Sequence, residues 1–407
     1  MNSLKRIAVI TPGYKPVPDV LGGAVEHLIT HIILQNEVTP HFVFDVFTLY
    51  DEKLEAFDLK YTNLIFIKNW RANIFKRAIS YLINFFPKKI ESNYRFNFFA
   101  KETAEKISSD TGVIIMENDL DILRALKPRV KSLPIIFHMH NDFDTLNEKQ
   151  KTTDSLRWTV KNVKEIWGVS EYIKNHLLSV FPNSNVKTLY NSIDRQRFVP
   201  ASVNKEKIQS FKTRYNICDE DFVILYSGRI IPQKGVLELI HACMYLPQNM
   251  NFKLLIAGDL KSSPQKYRKL VESEALKLGA KVCFTGLISH YEIQTAYTVS
   301  DIVAIPSQWQ EAFCLTALEA SCNCKPCVAS ISGGMTEVLD NSCAEMVELG
   351  SGYEKRLSDA IYKLYCDEHL RLEMCKNAGN KSKNFPDEKE YFEKFTKLME
   401  QFYDKIS

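Results

Sequence analysis

What most constrains this chain is a rhythm. Short apolar runs alternate with longer stretches of helical period, and the alternation occurs twice. The runs fall at 6–10, 43–49, 64–67, 112–116, 135–138, 165–169 and 186–190, then at 222–227, 253–257, 282–285, 302–305, 326–330 and 344–347. Runs of that length between helical patterns predict parallel sheets built from β-α-β units. Two series predict two doubly wound α/β domains. The length of 407 residues agrees, because single cores stop growing near ~250–300 residues. Residues 194–219 are charged and polar, with Pro200 near their start, and read as the connection. The expected domains are therefore 1–195 and 196–387. Residues 388–407 place Tyr391, Phe392, Phe395, Leu398, Met399, Phe402 and Tyr403 at spacings of three and four, which predicts one amphipathic helix closing the chain.

Charge and cysteine usage exclude several classes. A formal charge of +3, from 52 basic and 49 acidic residues, is too balanced for a dedicated nucleic-acid binder. Residues 1–200 hold 27 basic against 22 acidic residues, and the remainder 25 against 27, so the first half is the one suited to an anionic surface or ligand. All ten cysteines lie between Cys218 and Cys375. That distribution does not fit a secreted disulfide scaffold and predicts reduced thiols and a cytoplasmic location. The opening MNSLKRIAVITPGY has five apolar residues before Pro12 and reads as a strand rather than an export signal. No run approaches the ~18 apolar residues of a membrane span.

Three turns after expected strands carry chemistry. In Gly22-Gly23-Ala24-Val25-Glu26, paired glycines let backbone approach a ligand, and a helix start offers N–H groups to an anion. Without G-x-G-x-x-G spacing it is no dinucleotide fingerprint, and a plain tight turn accounts for it equally well. The segment Gly228-Arg229-Ile230-Ile231-Pro232-Gln233-Lys234-Gly235 delivers a guanidinium and an ammonium to the carboxyl edge of the second sheet. Ligands bind at that edge, and the pair suits a diphosphate better than it suits a merely solvated loop. In the third, Glu311 should sit in a loop, with Ala312–Thr316 presenting backbone N–H groups where a helix begins and Glu319 one further turn inside it. Acceptors for hydroxyls flank an anion cradle, the requirement of a sugar nucleotide.

These landmarks, with His140 after PIIFHM, the Asn191-Ser192-Ile193-Asp194 junction, Leu255–Gly258, Phe284–Gly286 and Ser332–Val338, resemble a retaining glycosyltransferase of the GT-B architecture, the family often called family 4. The likeness covers essentially the whole chain. It implies two Rossmann-like domains facing across a cleft, acceptor-binding first and nucleotide-sugar-binding second, with the last helix packing back toward the first. It implies that Arg229, Lys234 and the Gly228 turn grip the donor diphosphate, that Glu319 binds the ribose, and that Glu311 holds sugar hydroxyls. The amides of Phe313, Cys314, Leu315 and Thr316 would touch sugar and phosphate, Leu287 the base, Gly22 and Gly23 the diphosphate, and His140 the donor sugar. The donor would be a UDP-sugar and the acceptor a glycan or lipid-linked glycan. The family needs neither cofactor nor metal, and no Asp-x-Asp is placed to hold one. Two departures stand out. Ala312-Phe313-Cys314 replaces the usual Gly-Phe-Gly, narrowing the sugar pocket, and Cys324 replaces a glycine before Lys325-Pro326, so that turn must change course or bear strain.

Other features have competing readings. Cys322, Cys324 and Cys327 mimic a zinc motif, but their expected places in a helix and a strand favour buried thiols. His138 and His140 are expected to divide, one toward the cleft and one into packing. Residues 69–101 carry seven basic residues, one acidic residue and nine aromatics. They suit an amphipathic helix lying on an anionic membrane or meeting a lipid-linked acceptor at the inner membrane face, or a buried helix with snorkelling lysines. Base stacking is a third use of such aromatics, but nothing else in the chain supports nucleic acid. Rival functions are a nucleotide-sugar hydrolase or epimerase, which would need no acceptor, and a non-catalytic partner subunit, which would not need the four donor residues.

Overall fold

The computed structural model describes residues 4–68, 97–142, 149–289 and 291–406, with backbone only for 149–153. Most of the basic aromatic stretch, 69–96, thus lies outside the described residues. The chain forms two compact units, one comprising 1–192 with 388–407 and the other 193–387.

The first unit holds a seven-stranded sheet of β1 (Lys5–Ile10), β2 (Phe42–Thr48), β3 (Thr62–Phe66), β4 (Thr111–Glu117), β5 (Ile135–Met139), β6 (Glu165–Gly168) and β7 (Val186–Thr188). Their order is β3-β2-β1-β4-β5-β6-β7, every pair parallel. Strands buried on both faces explain the unbroken apolar runs, as in Ile7–Ile10 and Val113–Met116. The second unit repeats the plan with β8 (Phe222–Ser227), β9 (Phe252–Ala257), β10 (Val282–Gly286), β11 (Ile302–Ile305), β12 (Cys327–Ser330) and β13 (Ala344–Val347), ordered β10-β9-β8-β11-β12-β13. In each sheet the order reverses once, between β1 and β4 and between β8 and β11. Crevices at such reversals are where open α/β sheets bind ligands.

The helix Glu388–Ile406 belongs to the first unit. Its buried stripe of Tyr391, Phe395, Met399 and Phe402 fills the core beneath Phe42, Phe44 and Trp167. Phe395 meets Trp167 edge to face at 5.7 Å and Phe42 at 6.0 Å. Such pairs contribute about 0.5–1.5 kcal/mol each beyond area burial. His31, buried on the helix Ala24–Val38, contacts Ser192 Oγ at 2.8 Å and Glu388 Oε1 at 2.9 Å. Those two residues are where the chain leaves this unit and where it returns. The first crossing falls at Ser192–Ile193, slightly ahead of the expected edge after Arg195. Among the described residues no helix is long and apolar enough to cross a membrane.

Candidate functional site

At the carboxyl edge of the second sheet three turns are tied by main-chain hydrogen bonds. Gly228 N–H donates to Ala257 O at 2.9 Å, and Gly258 N–H to Gly286 O at 3.1 Å. The packing leaves no room for side chains: a Cβ on Gly258 would stand 2.2 Å from Gly228 O, and one on Gly235 would stand 1.8 Å from Pro306 O. Gly235 also has φ 71°, which only glycine adopts cheaply. The turn after β8 is thereby forced against the turn after β11, and Gln308 N–H donates to Gln233 O at 2.8 Å.

This arrangement brings Lys234 to Glu311, with Nζ 2.7 Å from Oε1. The same oxygen accepts from Ser307 Oγ at 2.5 Å and Trp309 Nε1 at 2.9 Å. Burial opposes ionisation of Glu311, yet Lys234 and the two neutral donors outweigh it and hold the carboxyl below its ordinary range. The Trp309 ring lies under both cations, 5.8 Å from the Arg229 guanidinium carbon and 5.3 Å from Lys234 Nζ. Ser332 Oγ accepts from Glu311 N–H and donates to Trp309 O. Sequence reasoning gave Ser307, Trp309 and Ser332 no role; the indole two residues before Glu311 was the one available signal.

The helix Leu315–Cys322 begins as its sequence predicts, just after Glu311 and the short connection that follows it. Its N-cap is Cys314, with φ 85° and no side-chain cap. The backbone thus keeps a glycine-like conformation with a cysteine in place. Burial, then Glu311, pushes the Cys314 thiol up to about 12, so it is no nucleophile at neutral pH. Thr316 Oγ1 donates to Ser227 O at 3.3 Å, fixing the helix start beside β8. The helices Val236–Met244 and Ala24–Val38 also start without side-chain caps, at Gly235 and Gly23. By contrast Asp119, Ser170 and Asn204 cap helices in the ordinary way. Uncapped starts at a sheet's reversal point leave donors for an anion.

Glu319 Oε2 accepts from the buried Tyr297 hydroxyl at 2.6 Å, a partner the sequence did not suggest. The Phe313 ring is buried against Phe385, so a ligand could meet only its backbone. Leu287 is 80% exposed beyond the Gly286 turn. Cys322 and Cys327 are buried, with thiols pushed up by burial, and Cys324 takes φ 53° with its sulfur 2.7 Å from where a Cβ on Gly379 would lie. The missing side chain of Gly379 makes room for the Cys324 sulfur.

In the first unit Gly22 and Gly23 have φ 71° and 141°. A Cβ on Gly23 would reach within 2.2 Å of Glu26 Oε2, and burial raises the carboxyl of Glu26. Beyond β1 and β4 lies a cavity of about 340 Å³ lined by Pro12, Tyr14, Lys15, Val25, Glu26, Asn118, Asp119 and Asn141. His138 and His140 do not divide. Residues two apart on a strand share a face, and both rings converge on Glu117 Oε2, at 3.0 Å from His138 Nδ1 and 2.8 Å from His140 Nε2. The ligand atoms of these three lie within 4.8 Å of one another, near enough to share an ion.

Residues 207–384 match the family model described as glycosyl transferases group 1. The lipopolysaccharide 1,2-N-acetylglucosaminetransferase of Salmonella typhimurium is 29% identical over 57% of this chain and 58% of its own length, so the chain spans little more than half of that relative. The putative glycosyltransferase YtcC of Bacillus subtilis is 25% identical over 92% of this chain and 86% of its own. Among solved structures, Anabaena HepE in complex with UDP-glucose superposes with a TM-score of 0.75 at 17% identity, covering 97% of this chain and 99% of that one, a likeness of fold. Residues 207–384, which carry the glycine turns of the second unit, thus match the glycosyl transferases group 1 family, and the two parallel sheets share the fold of HepE.

Proposed function

We propose that this chain transfers a sugar from a UDP-sugar to a hydroxyl of a glycan or lipid-linked glycan acceptor, with retention at the anomeric carbon and without a metal, in the assembly of a surface polysaccharide. The observation that carries the reading is the group at the reversal of the second sheet. There Arg229, Lys234 and Glu311 gather around Trp309, between two uncapped helix starts. Arg229, Lys234 and the helix-start amides would stabilise charge growing on the leaving diphosphate, the largest electrostatic demand of the reaction. Glu311 would exchange its bond to Lys234 for sugar hydroxyls once the diphosphate engages the lysine. Glu319 would bind the ribose beside Tyr297, and His140 would meet the donor sugar. Burial pushes the nearby Cys314 thiol up, which counts against a cysteine nucleophile. The similarity to a lipopolysaccharide glycosyltransferase of Salmonella supports the choice of acceptor class.

The test is release of UDP from a panel of UDP-sugars, with and without lipid-linked glycan and with chelator present throughout. Release that depends on acceptor and survives the chelator is expected. Equal release without acceptor would make the protein a hydrolase. No release from any donor would favour a non-catalytic partner.

A further inference from the structure

Glu117 is the last residue of β4, and in the β4–β5 register it stands opposite His138. Its side chain is 2% exposed, and one oxygen takes both imidazoles, His138 through Nδ1 and His140 through Nε2. The rings sit 4.1 Å apart, tilted by 53°. His140 is gripped a second time, because its backbone N–H donates to Asn118 Oδ1 at 2.9 Å. Asn118 takes φ 49°, turning the chain at the end of β4 so that its amide faces β5. Ring and main chain of His140 are thus both fixed by the two residues that close the neighbouring strand.

The hydrogen-bond chemistry is restrictive. One Glu117 oxygen lies 3.0 Å from His138 Nδ1 and 2.8 Å from His140 Nε2, two partners on one acceptor, as an ionised carboxylate takes them. An ionised carboxylate only accepts, so the nitrogen that faces it must carry a proton, which for His140 is Nε2. The His140 side chain is 6% exposed, with a second imidazole 4.1 Å away on the same carboxylate oxygen; burial of that kind disfavours a charged ring, so the ring is neutral, with its lone pair on Nδ1. A ring in that state can accept a hydrogen bond from a hydroxyl at Nδ1 and cannot donate one from there to a phosphate.

We propose that Glu117 is a positioning residue for His140, fixing it as the Nε2–H tautomer so that Nδ1 serves as acceptor for a hydroxyl of the donor sugar. The inference rests on the reading that His140 meets that sugar. It divides the labour among the polar groups: His140 selects a hydroxyl, while Arg229 and Lys234 answer to the diphosphate.

The experiment has two readouts on the full chain. Long-range ¹H–¹⁵N correlation spectra of ¹⁵N-histidine protein, with the His140 ring assigned by loss in His140→Gln, report which nitrogen is protonated. Expected is Nε2–H at pH 7, unchanged by chelator. Glu117→Gln should give a mixed tautomer population and lower kcat for donor consumption about 10-fold, the worth of one hydrogen bond, with the dissociation constant for UDP unchanged. Nδ1–H in the wild-type ring would overturn the proposal. So would a spectrum that changes on chelation, since Nε2 would then be a metal ligand, or wild-type tautomer and kcat in Glu117→Gln. Should the wild-type chain consume no nucleotide sugar, the functional reading fails on its own, and the wild-type ring spectrum still decides the tautomer.

Discussion

Replacing Lys234 by alanine should destabilise the second unit by an amount that the geometry sets. The ammonium lies 2.7 Å from Glu311 Oε1, and the carboxylate side chain is 7% exposed. At an effective dielectric constant of about 20, two unit charges at that distance attract by about 6 kcal/mol before desolvation. Removing one partner of a buried pair costs about 3–5 kcal/mol, because the other charge stays buried and unmatched. Ser307 and Trp309 still donate to the same oxygen, each neutral bond contributing about 1 kcal/mol, so the lower figure of about 3 kcal/mol applies. For a unit of this size that lowers the melting temperature by about 6–12 °C. Calorimetry of the full chain should show the shift in one transition, and Lys234→Ala/Glu311→Gln should recover most of it, since no charge is then stranded. The pH dependence has a definite sign. A carboxyl held low in the folded state contributes stability above its ordinary range and loses it as the pH falls. Without Lys234 the carboxyl protonates at higher pH, so variant and wild type converge on acidification. A Lys234→Ala protein melting within a degree of wild type, or a double variant no more stable than the single, would refute the reasoning.

Gly235→Ala should prevent folding of the second unit or cost it more than about 4 kcal/mol, through a buried clash and a disfavoured φ, whereas Gly279→Ala should cost about 1 kcal/mol, because a Cβ there at φ 57° meets nothing within 4 Å; urea midpoints compare the two. The depressed basicity of His140 contributes stability that is full above pH 6.5 and lost as the pH falls toward 4; between pH 7 and 4 wild type should lose about 3 kcal/mol more than His140→Gln, and parallel denaturation profiles would count against it. Arg229→Ala should fold normally and transfer sugar about 10²–10³-fold more slowly, read as initial rate at saturating donor. Gln at Lys76, Arg77, Lys88 and Lys89 should weaken low-salt cosedimentation with anionic vesicles, each cation contributing about 1 kcal/mol, while leaving UDP affinity alone; wild-type chain that stays in the supernatant would point to a soluble acceptor.

The strands of both sheets were legible because parallel strands buried on two faces must be apolar throughout, and Val223–Tyr226 or Ile114–Met116 have few other uses. The last helix was legible for the same reason, its aromatic stripe being too large to leave in water. The glycine turns and the start of the helix at Leu315 also followed from local rules. What stayed hidden were choices made between distant segments. Nothing near Glu117 announces that it will hold two imidazoles, because the strand register decides it. The expected separation of His138 from His140 failed on the same point, the face being shared at a spacing of two. Lys234 and Glu311 were each assigned to a ligand, and their direct contact follows from Gly235 pressing one turn against another. Tyr297 gave no sign of its bond to Glu319, since a buried tyrosine reads as core until its hydroxyl is accounted for.

The placement of Tyr391, Phe395, Met399 and Phe402 beneath Trp167 governs the order in which the molecule can be completed during translation. The strands of the first sheet emerge from the ribosome early, yet their core stays open until those four side chains have been synthesised. The second unit, though it starts later, has all of its own strands and helices beforehand and can close on its own. The half made first is therefore the half finished last. A chain truncated after residue 387 would hold a complete second unit and an unfinished first one, with the apolar surface under Phe42, Phe44 and Trp167 uncovered.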